Sequence, residues 1–163
     1  MRRHLSFLLL AFWACIGTAF AQLPSVNLKT TDGKTIDSST LSNEGKPFII
    51  DFFATWCKPC LRELAAIAEV YDDWREETGV KLIAVSIDQA QNAQKVKPLV
   101  DQYGWDYEVL LDPNSDFLRA MGGKMIPFVL ICDGKGKVVY RHSGYTEGAE
   151  TEIIEKVRQL LQP

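Results

Sequence analysis

Two cysteines three positions apart, Cys57 and Cys60, are the residues of this chain best suited to chemistry. Residues at positions i and i+3 of a helix lie on one face, so the two sulfur atoms come close enough to form a small disulfide ring. Such a ring closes too short a loop to stabilise a fold much through chain entropy. The spacing therefore favours a redox function over a static cross-link.

The elements around these cysteines also favour reactivity. Phe48–Phe53 is an almost continuous apolar run, typical of a strand buried on both faces, and a helix is predicted over Pro59–Glu77. Cys57 then lies at the helix N-terminus, where unpaired N–H groups and the helix dipole stabilise an anion. Lys58 adds a positive charge, and Pro59 suits the first turn because its missing N–H would have no intrahelical partner. The pKa of the Cys57 thiol should therefore lie below the roughly 8.5 of free cysteine.

The two thiols are expected to have different roles. Cys57 should be the exposed nucleophile that attacks a partner's disulfide, and Cys60, one turn deeper, the resolving thiol that breaks the mixed disulfide. The alternatives are a structural disulfide and half of a metal site. The sequence beyond residue 21 has a single histidine, His142, and no second pair of closely spaced cysteines, so it predicts no metal site and no cofactor.

Asp51 is a carboxylate within the predicted buried strand, where such groups are rare. Burial would raise its pKa and make it a proton acceptor for the resolving cysteine near neutral pH. The alternative is an exposed strand position without a role.

Pro127 follows Ile126 at a loop-to-strand joint and is a candidate for a cis peptide bond. In that conformation the backbone of Ile126 would turn outward and could pair with an extended segment of a partner. The alternative is an ordinary trans proline in a loop.

The N-terminus has the pattern of an export signal. Arg2 and Arg3 precede the apolar run Leu5–Phe20, and a small-x-small cleavage site ends at Ala21. We therefore predict a signal peptide over residues 1–21 and export to the periplasm.

A single domain is predicted over residues 22–163. A retained membrane anchor is disfavoured because the apolar run is short. A lipoprotein acylated at Cys15 is disfavoured because the bulky side chains of Phe12 and Trp13 precede that cysteine.

Composition excludes several other classes of protein. Of the 163 residues, 47% are hydrophobic and 24% charged, as in an average globular protein rather than a disordered one. Loss of Arg2 and Arg3 with the signal peptide would change the formal net charge from −3 to −5. A mildly acidic surface of this kind gives no electrostatic footprint for nucleic acid.

Cys132 makes the cysteine count odd once Cys15 is removed with the signal peptide. An odd number cannot form a purely structural disulfide framework. Cys132 lies in a predicted strand, which favours a small buried core thiol over a regulatory or intermolecular one.

The remaining elements indicate an α/β fold, because strands and helices alternate before a final hairpin and helix. The predicted elements are a hairpin over Val26–Ile36, strands over Val80–Ser86, Tyr107–Leu111, Phe128–Cys132 and Lys137–Arg141, and helices over Gln91–Tyr103 with a kink or restart at Pro98, Ser115–Met121 and Glu150–Leu161.

The segment Phe53–Cys60, with the sequence FATWCKPC, resembles the active-site segment of the thioredoxin superfamily. More narrowly, the chain is similar to the exported TlpA/ResA-like thiol–disulfide oxidoreductases over nearly all of the part beyond the signal peptide. The resemblance implies a thioredoxin-like fold, with a central mixed sheet flanked by helices, an N-terminal β-hairpin and a strand–helix insertion near Val80–Leu111. It also makes Trp56 part of the active-site motif.

The same resemblance assigns further site residues. Pro127 would be the cis proline that faces the disulfide, and Asp51 stands where thioredoxin keeps a buried aspartate. Glu63 matches a glutamate that the exported branch often carries three residues after the second cysteine, although Ala65 replaces the proline often found two residues beyond it. Without the resemblance, Glu63 would be interpreted as a solvated helix residue.

The resemblance implies an enzyme that exchanges a dithiol for a disulfide in protein partners. It favours reduction, which requires an electron donor supplied through the membrane. One alternative is a peroxidase on the same scaffold, but Thr55 lies two residues before Cys57, and the loop has no upstream proline to match the peroxidase pattern. The other is a non-catalytic binding module or metallochaperone that uses the cysteines as ligands.

Overall fold

The computed structural model describes residues 22–162, so the predicted signal peptide over residues 1–21 lies outside the described residues. The strands are β1 (Asn27–Thr30), β2 (Thr35–Asp37), β3 (Phe48–Phe53), β4 (Lys81–Ser86), β5 (Glu108–Leu111), β6 (Phe128–Cys132) and β7 (Val138–Ser143). The helices are α1 (Lys58–Thr78), α2 (Val96–Tyr103), α3 (Asp116–Ala120) and α4 (Ala149–Leu161).

The seven strands form one mixed sheet in the order β2-β1-β5-β4-β3-β6-β7. β3 runs parallel to β4 and antiparallel to β6, and β5 runs parallel to β4. The N-terminal hairpin joins the sheet through antiparallel pairing of β1 with β5, the last strand of the insertion. This architecture confirms the thioredoxin-like α/β fold predicted from the sequence.

β3 divides the hydrophobic core into two layers because successive side chains of a strand point to opposite faces. Ile49 and Phe53 pack with α1, α4 and the start of α2, whereas Ile50 and Phe52 pack with α3 and the N-terminal segment. Asp51 alternates in register with Ile49 and Phe53, so its side chain lies on the α1 side of the sheet.

Helix α1 begins and ends as its sequence predicts. Cys57 is its N-cap, and Gly79 terminates it in the left-handed conformation at φ 66°, where its N–H donates to the carbonyl of Arg75 at 2.9 Å. Glycine suits this position because it has no Cβ to strain a positive φ. α1 therefore holds its first turn, with both cysteines, directly after the centre of the sheet.

The second helix differs from the prediction. A 3₁₀ turn at Ala93–Lys95 comes first, and α2 starts at Val96, two residues before Pro98. The helix predicted over Gln91–Tyr103 therefore restarts at Val96, and Pro98 lies in the first turn of α2, where a proline has no intrahelical hydrogen bond to lose. None of the helices in the described part of the chain is long and apolar enough to span a membrane.

Candidate active site

Cys57 and Cys60 form a disulfide at the N-terminus of α1, with an S–S distance of 2.03 Å and a Cα–Cα distance of 5.3 Å. Cys57 is 6% exposed and Cys60 is fully buried. Cys57 is therefore mostly buried and not exposed as predicted, but it keeps more accessible surface than Cys60, and this difference in access is the one expected of an attacking and a resolving cysteine.

The sulfur of Cys57 caps the helix. Its Sγ accepts a hydrogen bond from the backbone N–H of Cys60 at 3.3 Å. Lys58 is the exposed first residue of α1, and Pro59 occupies the first turn as predicted. When the disulfide opens, the same N–H and the helix dipole are available to stabilise a thiolate at Cys57.

Two large hydrophobic side chains, one next to Cys57 in the chain and one next to Ile126, are exposed. Trp56 is 64% exposed directly before Cys57, and Met125 is 60% exposed in the loop before β6. Ile126 is half-buried, and its peptide bond to the buried Pro127 is cis, as the sequence suggested. Exposed apolar side chains next to a reactive sulfur favour contact with a polypeptide partner.

Asp51 lies at the centre of β3 and is fully buried. Among residues 22–162, neither of its carboxyl oxygens has a hydrogen-bond partner. Burial and then the neighbouring Glu63 carboxyl raise the pKa of Asp51 well above its ordinary value of 3.8. The exposed alternative for Asp51 is therefore wrong, and burial makes its carboxylate a stronger proton acceptor than that of an ordinary aspartate.

Glu63 lies one helical turn after Cys60 and is also fully buried, with both carboxyl oxygens unpartnered within the described residues. Burial and then the charge of Glu150 raise the pKa of Glu63 to about 8. The interpretation of Glu63 as a solvated helix residue is wrong, because the residue faces the sheet rather than water. Its i+3 spacing from Cys60 puts both side chains on the same face of α1.

Asp88 is a functional residue that the sequence reasoning missed. It is buried just after β4, and its carboxylate accepts hydrogen bonds from the backbone N–H and the hydroxyl of Thr55, both at 2.7 Å. The hydroxyl of Ser86 also donates to it at 2.8 Å. Asp88 thereby anchors the loop that presents Trp56 and Cys57. The only signal in the sequence is a carboxylate directly after a buried strand.

Cys132 is buried in β6 between β3 and β7. Burial and then Asp133 raise the pKa of its thiol to about 12, against a smaller opposite effect of Arg141. A neutral, enclosed thiol confirms the prediction of a core residue. Within residues 22–162, no group of three or more His, Cys, Asp or Glu side chains is placed to hold a metal ion.

A family model described as the AhpC/TSA family matches residues 20–141, more than half of the chain. The chain belongs to the AhpC/TSA family. Two proteins similar to this chain are named thiol-disulfide oxidoreductase ResA. The one from Halalkalibacterium halodurans is 29% identical over 154 residues, which cover 93% of this chain and 83% of the relative. The one from Bacillus subtilis is 32% identical over 141 residues, which cover 86% of this chain and 74% of the relative.

Two solved structures of thioredoxin-like proteins are similar to this chain. An uncharacterized thioredoxin-like protein from Porphyromonas gingivalis is 67% identical, with a TM-score of 0.78 over 86% of this chain and 92% of that one. A thiol:disulfide interchange protein of the thioredoxin family from Chlorobium tepidum is 28% identical, with a TM-score of 0.66 over 86% and 96%. This member of the AhpC/TSA family is a thioredoxin-like thiol–disulfide oxidoreductase, as the sequence predicted.

Replacement of Asp88 by alanine tests whether this carboxylate holds the active-site loop in place. Asp88→Ala leaves the half-buried N–H and hydroxyl of Thr55 without their acceptor, so we expect a loss of about 1–3 kcal/mol of unfolding free energy. We also expect the reduced variant to show slower alkylation of Cys57, because the loop no longer holds the sulfur at the helix N-terminus. Urea unfolding and alkylation rates measure the two effects.

Asp112 provides the matched control for that experiment. It is a second buried aspartate that accepts backbone hydrogen bonds, in this case from Asp116, Phe117 and Leu118 at the start of α3. Asp112→Ala should cost stability without changing the alkylation rate of Cys57. Equal alkylation rates in both variants would assign Asp88 a purely structural role.

Proposed function

We propose that this protein is exported and reduces disulfides of extracytoplasmic proteins with its Cys57–Cys60 dithiol. The observation that carries the proposal is the Cys57–Cys60 disulfide at a helix N-terminus, with Cys57 6% exposed and Cys60 fully buried. Export rests on the N-terminal sequence pattern. The reductive direction rests on the likeness to the ResA-like branch.

The reaction proceeds through a mixed disulfide. The Cys57 thiolate attacks one sulfur of the partner's disulfide, a new S–S bond forms, and the partner's other sulfur leaves as a thiolate. Cys60 then gives its proton to a buried carboxyl, with Asp51 the proposed acceptor, and its thiolate attacks the sulfur of Cys57. The partner leaves with both sulfurs reduced, and Cys57 and Cys60 are oxidised by two electrons.

The partner is held by the apolar surface around the disulfide. Trp56, directly before Cys57, and Met125, directly before Ile126, offer exposed apolar area, and the backbone of Ile126 before Pro127 is proposed to pair with an extended segment of the substrate. A surface of this kind accepts many sequences because it contacts main chain and apolar area rather than one specific side chain.

Each cycle ends with the disulfide form, so a reducing partner is required. We propose a membrane-supplied dithiol protein as this electron donor, because the compartment outside the cytoplasm is oxidising. The donor would transfer its electron pair to the Cys57–Cys60 disulfide by the same exchange chemistry in reverse.

The direction of electron flow is tested by the reduction potential of the Cys57–Cys60 couple in equilibrium with glutathione. We expect a value close to the about −270 mV of thioredoxin and far from the about −120 mV of strongly oxidising dithiol proteins. Cys132→Ala should leave the potential unchanged, since that thiol is enclosed in the sheet. A value at the oxidising end would reverse the proposed direction while leaving the exchange chemistry intact.

A peroxidase on the same scaffold is the second candidate function considered from the sequence. The position of Thr55 speaks against it. A peroxidatic site needs a threonine that assists the reactive cysteine, whereas the hydroxyl of Thr55 donates to Asp88. Rapid consumption of peroxide with a thiol reductant would favour the peroxidase.

Stoichiometric retention of a metal through dialysis, without disulfide reduction, would favour a metallochaperone.

A further inference from the structure

Three carboxyl groups from three different elements interact on the α1 side of the sheet. Asp51 comes from β3, Glu63 from α1 and Glu150 from the first turn of α4. Asp51 and Glu63 are fully buried, whereas Glu150 is half-buried with its Oε2 atom enclosed. The set therefore extends from the core, behind the disulfide, to the protein surface.

All five enclosed oxygens of this set lack a hydrogen-bond partner within residues 22–162. A buried carboxyl group without a partner is costly, and most such groups in folded proteins are satisfied. Two uncompensated carboxyl groups in one core, with a third at its edge, are therefore not explained by stability. A functional requirement for exchangeable protons explains why acids occupy these positions.

Each carboxyl group of the set raises the pKa of the next one towards the core. The Glu63 carboxyl raises the pKa of Asp51, and the Glu150 carboxylate raises that of Glu63, in both cases after the larger effect of burial. Glu150 is thus the outer member of the series. Its neighbour Glu152, in the same first turn of α4, accepts a hydrogen bond from Tyr140 at 2.7 Å instead.

Other polar groups face this set from the surrounding elements. Tyr107 lies near Asp51 and donates its hydroxyl to the carbonyl of Leu64 at 2.8 Å. Tyr145 lies near Glu63 and Glu150. The remaining charged groups that act on Tyr145 are Glu147 and Arg62.

We propose that Glu150 is the surface port of a proton path that runs from Cys60 through Asp51 and Glu63 to solvent. This inference rests on the proposed function, because it concerns the proton that the resolving thiol must lose. Glu150 is a positioning and relay residue and does not touch the reacting sulfurs.

The proton balance follows the exchange reaction. Cys60 gives its proton to Asp51 as its thiolate attacks the sulfur of Cys57, and the partner's sulfur leaves with the electron pair of the broken S–S bond. Asp51 passes the proton to Glu63, and Glu63 passes it to Glu150, which releases it to water. The carboxyl groups share no direct hydrogen bond, so each transfer needs a bridging water or a change of rotamer.

Glu150→Gln tests the port, with Glu147→Gln as the matched control. Both changes remove one negative charge, and Glu147 is an exposed residue three positions earlier that is not among the groups acting on Glu63. We expect Glu150→Gln to lower the pKa of Glu63, measured by NMR titration of its side-chain carboxyl. We also expect resolution of a mixed disulfide with a model peptide to slow on the order of tenfold.

Rescue by a buffer separates a relay from a structural role. In Glu150→Gln, the resolution rate should rise with imidazole concentration at constant pH, since a small base can replace the missing port. Wild type and Glu147→Gln should show no such dependence, and Glu150→Asp should retain most of the rate.

An unchanged Glu63 titration in Glu150→Gln, or a slowed rate without rescue by imidazole, would overturn the proposal. The titration needs no substrate, so it reports on the path even if the wild-type protein fails to reduce disulfides. Failure of the wild-type protein to reduce disulfides would contradict the proposed function and not the proton path.

Discussion

A Cys60→Ala variant is expected to stop turning over and to accumulate as a covalent complex with its substrate. Cys57 can still attack, but no thiol remains beneath it to break the mixed disulfide. The loss of turnover should be on the order of a thousandfold or more, as for other members of a catalytic unit removed singly. Incubation with a disulfide-bonded peptide and non-reducing electrophoresis would reveal the complex.

Cys57→Ala is the matched control, because Cys60 is buried and should form almost no complex. Alkylation of the reduced wild-type protein at neutral pH provides an independent check. Cys57 should react fast and Cys60 slowly. If both thiols reacted equally slowly, like ordinary free cysteine, the assignment of attacking and resolving roles would be incorrect.

Asp51→Asn is expected to make the protein more stable at alkaline pH and, at the same time, slower in resolving mixed disulfides. Folding raises the Asp51 pKa above its ordinary value of 3.8, so above that pH the folded state retains a proton that the unfolded chain releases. Stability of the wild type should therefore fall as pH rises from about 4 towards the folded pKa. The asparagine variant lacks this titratable group, so its free energy of unfolding should fall less between pH 4 and pH 8 than that of the wild type.

Urea unfolding of wild type and Asp51→Asn at a series of pH values would measure this difference. Glu63→Gln should show the same trend, because burial raises the pKa of Glu63 to about 8. The resolution rate of a trapped mixed disulfide should rise with pH in the wild type and be slower in Asp51→Asn. A rate that is the same in both proteins from pH 6 to 9 would remove the catalytic role of Asp51.

The centre of this site could be predicted from the sequence because its signals are local. The positions of Cys57, Cys60 and Pro59 depend on helical spacing and on the chemistry of a first helical turn. The apolar run that contains Asp51 indicated burial by composition alone. These arguments need only neighbours within a few residues, and the structure places those residues as expected.

The rest of the site depends on contacts between distant segments. Thr55 donates a hydrogen bond to Asp88, which lies 33 positions further along the chain. Glu150 on α4 raises the pKa of Glu63 on α1, because these two helices pack against each other. A carboxylate after a strand or in a first helical turn has many ordinary explanations, so neither Asp88 nor Glu150 stands out in the sequence. Even Glu63 was indicated by a resemblance and not by its helical pattern, since a glutamate on a buried helix face contradicts that pattern.

Because Cys132 is enclosed in the sheet, it cannot add to the number of electrons that one molecule transfers. Within the described part of the chain, the Cys57–Cys60 couple is the only store of reducing equivalents, and no further thiol can receive electrons from it by internal transfer. In the proposed reductive direction, one molecule would therefore deliver a single electron pair to each substrate and would have to be reduced again before the next. Its rate of turnover would then depend on how often it encounters the proposed donor, and a shortage of donor would leave the whole population oxidised.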